Sequence, residues 1–89
     1  MVERTDEYII GRLIERCRLL MAISEEIPVE TKLQAQPLLK QLEQALAVPV
    51  EEQDASFIRA TYAALYAEVT EYADIEALLS ALRNFVPHL

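Results

Sequence analysis

The spacing of apolar residues is helical throughout the chain. Ile9, Ile10, Leu13, Ile14, Cys17, Leu20 and Met21 fall on one broad arc at 100° per residue, and Arg4, Arg12, Glu15, Arg16 and Arg18 occupy the rest. This predicts a first helix to about Ile23. Thr5 is placed as its N-cap, ahead of Asp6 and Glu7 in a turn that favours negative charge. Tyr8 and Leu19 fall on the charged side with Arg12, and with Ile23 they read as a contact surface. Ser24–Pro28 is a loop.

A second helix is expected from Pro28 or Val29 to about Ala47. Pro37 lies inside it and has no N–H to donate, so the chain either kinks or restarts there. Beyond Pro37, Leu38, Leu39, Leu42, Ala45 and Leu46 line one face, opposite Lys40, Gln41, Glu43 and Gln44. Pro49 stops this helix, and Val48–Gln53 is a loop. Asp54 or Ser56 then caps a third helix over Phe57–Tyr72, where Ile58, Tyr62, Leu65, Val69 and Tyr72 repeat at 4-3-4-3 spacing.

That third helix has almost no polar face. Its far side carries Ala60, Ala63, Ala64 and Ala67, and its only charges are Arg59, Glu68 and Glu71. A helix that is apolar all round calls for cover on more than one side, from other helices or from a second copy of the chain. Asp74 is expected to cap a last helix with the stripe Ile75, Leu78, Leu79, Leu82, Phe85 and Val86. No glycine separates it from the third, so one kinked helix is an alternative.

The fold expected is therefore all-α: a compact antiparallel bundle of four helices, or five if the second breaks at Pro37, forming a single domain over residues 1–89. A death-domain-like six-helix bundle is the rival, but two of the predicted helices are longer than that fold usually contains. Short connections make consecutive helices antiparallel. At 89 residues the core is marginal, although the hydrophobic fraction of 53% and the single glycine argue for a folded domain. Gly11, inside the first helix, reads as a point of close helix packing.

Charge narrows the function classes. The formal net charge is −7, and residues 41–89 hold Arg59 and Arg83 against eight acids. No basic stripe exists to neutralise phosphate, so nucleic acid and anionic membrane are not expected partners. No apolar run approaches the length of a membrane span. The lone Cys17 permits no internal disulfide and reads as a buried reduced thiol, consistent with a cytoplasmic protein. With one His and one Cys, no metal site is expected, and a single glycine cannot build a phosphate-binding loop. No cofactor or catalytic residue is expected.

Arg83-Asn84-Phe85-Val86-Pro87-His88 is similar in spacing to the Arg-x4-6-His motif of HEPN ribonucleases, which are also all-helical. The resemblance covers six residues. It implies an arginine on the scissile phosphate and a histidine moving protons, yet here Pro87 precedes His88.

Tyr62 and Tyr72 are expected in the core with hydroxyls at the surface. Tyr66, between the alanine side and the polar edge, reads either as simple rim packing or as an interface anchor. The reading is a non-enzymatic protein–protein interaction module, a small acidic adaptor or regulator that is homodimeric. Its expected contacts are Tyr8, Arg12, Leu19, Ile23, Ala60, Ala63, Tyr66 and Ala67. The alternatives are an acidic antitoxin, inhibitor or nucleic-acid mimic covering a basic partner, and a HEPN-like ribonuclease.

Overall fold

The computed structural model describes residues 2–89, with side chains from Asp6 onward. Four α-helices follow one another: α1 (Val2–Ile23), α2 (Val29–Leu46), α3 (Ala55–Val69) and α4 (Ala73–Leu82). One 3-10 turn, Val50–Glu52, lies in the connection between α2 and α3. The most extensive contact is between α2 and α3, followed by α1 with α4 and α1 with α2; of the four neighbouring pairs, α3 and α4 touch least. α1 and α3 are thus diagonal to each other, each flanked by α2 and α4. The molecule measures 38 × 23 × 16 Å, so the core is one side-chain layer deep.

That core follows the predicted stripes. Ile14, Cys17 and Met21 come from α1, and Ala35, Leu39 and Leu42 from α2. Ile58, Tyr62, Leu65 and Val69 come from α3, and Ile75, Leu79 and Leu82 from α4. Burial pushes the Cys17 thiol up to about 11, so it stays protonated and unreactive at neutral pH. Arg18 reaches both Glu15 on its own helix and Glu43 on α2, a half-exposed link between the first two helices.

Several expectations are corrected. α1 begins at Val2, so Thr5 lies within the helix and does not cap it. α2 runs unbroken through Pro37, which removes the five-helix alternative, and four helices exclude the six-helix one. Pro37 and Leu33 are both exposed, so the carbonyl that loses its partner at Pro37 lies on the wet side of the helix, where water satisfies it.

α3 stops at Val69, not Tyr72, and Tyr72 adopts an extended conformation (φ −101°, ψ 98°) as the residue before α4. Asp74 therefore sits in the first turn of α4 instead of capping it. The break re-aims the chain. On one continuous helix Ile75 would stand 240° around from Val69 at 100° per residue, yet both are buried in the same core. At the start of α3, Asp54 is the cap, accepting from the Phe57 N–H at 3.1 Å. α4 ends at Leu82, and Phe85 and Val86 continue the apolar stripe in turns instead of in helix.

Gly11 makes no close packing contact: a Cβ built there meets nothing within 4 Å. Gly11→Ala is accordingly expected to stabilise the fold by about 0.5–1 kcal/mol, through helix propensity and a less flexible unfolded chain. A higher denaturation midpoint with an unchanged slope is the result to look for. A lower midpoint would mean that the glycine is needed at this position.

Candidate functional site

The residues read from the sequence as a contact surface divide into two patches. Tyr8, Arg12, Leu19 and Ile23 all lie exposed along the outward side of α1, with Tyr8 and Ile23 each 64% exposed. Arg12 and Tyr8, one turn apart, are already joined. The guanidinium donates to the Tyr8 hydroxyl at 3.1 Å and its carbon stands 5.8 Å from the ring centre. Ala60, Ala63 and Ala67 are exposed on the outward side of α3, beside Ala64, with Phe57 45% exposed at the near end. Because α1 and α3 are diagonal, these faces look away from each other. No single contact covers both.

Within one chain the other helices cover α3 on one side; of the two expected sources of further cover, surrounding helices do not supply it. The buried residues of α3, Ile58, Thr61, Tyr62, Leu65 and Val69, form one stripe. The opposite stripe is alanine and meets no other helix of the chain. Alanine makes both outcomes physically acceptable, since its small apolar surface costs little when wet and blocks nothing when covered.

Tyr66 stands apart from the other predicted contact residues. It is half-buried and tied to α4. Its hydroxyl donates to Glu76 Oε2 at 2.5 Å, and the Ser80 hydroxyl donates to the same oxygen at 2.8 Å. Its ring stacks on Tyr62 with centroids 6.0 Å apart, and the Arg83 guanidinium covers both rings at 5.5 and 5.6 Å. The Tyr62 hydroxyl does not reach the surface. It donates to the Leu79 carbonyl inside the fold, near the end of α4. These polar links join the neighbouring helices that share the least backbone contact.

The Tyr66 and Ser80 hydrogen bonds hold the Glu76 carboxyl below its ordinary value of 4.5. A group with a lowered folded pKa contributes stability above its unfolded pKa, and that contribution disappears as pH falls through the folded value. Tyr66→Phe is expected to raise the Glu76 titration midpoint toward 4.5 and to move the onset of acid unfolding to higher pH. Carbon-detected NMR titration of the Glu76 carboxyl measures this directly. An unchanged midpoint would show that the Tyr66 hydroxyl does not hold the charged form.

The structure separates the roles of the two residues of the HEPN-like spacing. Arg83 lies over the tyrosine rings, and His88 Nε2 is buried without a hydrogen-bond partner. Among the described residues, no three His, Cys, Asp or Glu side chains converge as a metal site would require. No helix of the described chain is long and apolar enough to cross a membrane.

Exposed apolar residues on α2 were not singled out by the sequence reading. Val29 and Leu33, one turn apart, are both well exposed. Their signal was the four-residue spacing on the side opposite Ala35, Leu39 and Leu42, hidden because the pattern is plain only beyond Pro37. Also unforeseen is an open cleft of about 420 Å³ at the end of the bundle where α1 and α3 finish and α2 and α4 begin, lined among others by Leu20, Ile23, Glu26, Tyr72 and Asp74. Comparison with known protein families, with curated proteins and with solved structures finds no match to this chain.

Proposed function

We propose that the chain is a non-enzymatic protein–protein interaction module of the cytoplasm that pairs with a second copy through the outward face of α3. The observation that carries this reading is the pair of stripes on α3. One is fully buried in the core; the other, Ala60, Ala63, Ala64 and Ala67 with Phe57 beside it, is apolar and open. Small side chains let a second helix approach closely, and an apolar stripe gains by leaving water. The exposed patch on α1, with its joined Tyr8 and Arg12, remains available to a different partner. Tyrosine and arginine are the residue types most often found at the energetic centre of protein contacts.

Sedimentation equilibrium tests the self-pairing directly. The expected mass is twice the 10.1 kDa of one chain at micromolar concentration, falling toward one chain on dilution. A mass of one chain at every concentration would remove the self-pairing and leave only docking on other proteins.

A second reading, an acidic regulator that covers a basic protein, is supported by where the acids stand. Glu51, Glu52, Asp54, Glu68, Glu71 and Asp74 are all exposed, and only Arg59 and Arg83 oppose them in that half of the chain. Binding of this kind weakens as salt rises.

A further inference from the structure

We propose that the cleft at the bundle end docks a basic protein segment carrying one large apolar side chain. The proposal rests on the reading of the chain as an interaction module and names a site and a partner chemistry for it. Leu20 and the largely exposed Ile23 supply apolar surface to the cleft, and Ile27 and Ile75 line it almost fully buried. Its volume of about 420 Å³ accepts a large aliphatic or aromatic side chain with room for the backbone that carries it.

Charge selects the flanks of that segment. Glu26 and Asp74 line the cleft from opposite sides, one in the α1–α2 loop and one in the first turn of α4. Glu25 precedes Glu26 and is exposed. Glu71 precedes the cleft residue Tyr72 and is exposed. The C-terminal, negative end of α1 also faces the cleft, and its last turn contains no basic residue. Lys32 supplies one opposing charge, with its ammonium 3.4 Å from the Ala22 carbonyl. The positive ends of α2 and α4 lie here too, but Glu30 in the first turn of α2 and Asp74 and Glu76 in that of α4 counter them. The balance is the apolar surface of Leu20 and Ile23 beside a negative rim. That arrangement favours Lys or Arg on either side of an apolar anchor and disfavours an acidic or phosphorylated segment.

The test is selection of short random peptides, displayed on phage, against the intact chain, followed by affinity measurements on the enriched peptides. The expected enrichment is one Leu, Ile or Phe flanked by Lys and Arg. Ile23→Ser and Glu26→Lys should each weaken these peptides by about tenfold or more, and higher salt should weaken them further. Both substitutions alter exposed side chains, so the fold is retained. Leu33→Ser, on exposed α2, should leave binding unchanged. No enrichment, enrichment without basic residues, or binding indifferent to both cleft variants overturns the proposal. Peptides lost on Ala67→Glu instead would move the docking site to α3 and preserve the interaction module. Absence of both peptide binding and self-pairing would remove the module as well.

Discussion

Leu65→Ala is expected to lower the unfolding free energy by about 3 kcal/mol, within the range for a leucine truncated in a packed interior. Leu65 is 0% exposed, at the middle of the buried stripe of α3, the helix that makes the most extensive contact with α2. The shell around it is one layer deep and held by helices on both sides, so it closes only partly over the lost methyl groups. A domain of this length has roughly 4–13 kcal/mol of total stability, so the loss is a large fraction. The midpoint of thermal unfolding should drop by on the order of 15 °C. Leu33→Ala removes the same atoms from a side chain that is 66% exposed and should change stability by no more than about 0.5 kcal/mol. Denaturant titrations of the two variants side by side decide the matter. A comparable effect at both positions would mean that the buried stripe of α3 is misassigned.

Ala67→Glu and, separately, Ala63→Glu are expected to abolish self-pairing while leaving each folded chain about as stable as before. Both alanines are exposed on the outward side of α3, and a glutamate there is hydrated and compatible with helix. In a pair of chains joined on this face the same carboxylate would lose its water without gaining a partner. The cost would fall on both copies, because an interface between two identical faces repeats every change twice. The dissociation constant should rise by at least about a hundredfold. Sedimentation reads the pairing, and circular dichroism melts read the fold. If both variants keep the paired mass, the contact lies elsewhere, and the α1 patch of Tyr8, Arg12, Leu19 and Ile23 becomes the place to look.

Much of the fold is legible in local patterns. The α1 stripe, the Asp54 cap and the apolar face of α2 beyond Pro37 depend on residues within four positions of one another, and the structure shows all three. The failures share a different cause. Pro37 was ambiguous because its cost depends on whether the freed carbonyl meets water or protein. The end of α3 was misplaced because Tyr72 fits the 4-3-4-3 repeat perfectly well. What stops the helix is the need to bring Ile75, Leu79 and Leu82 into the same core as Val69. The Tyr66 contact with Glu76 joins residues ten positions apart on different helices, and no spacing rule reports it.

Helicity, acidity, short loops and one strongly apolar stripe per helix are properties of the chain's local patterns. Helix periodicity, capping and charge are properties of neighbouring residues, so they are present before the chain folds. Which apolar residues stay wet depends on how the helices pack. α1 and α3 became diagonal, which turned the α1 patch and the alanine face of α3 in opposite directions. The packing also brought the α1–α2 loop against the start of α4, assembling a cleft from residues about fifty positions apart. Burial and cleft shape depend on which helices become neighbours, and that is set by the packing of the whole chain.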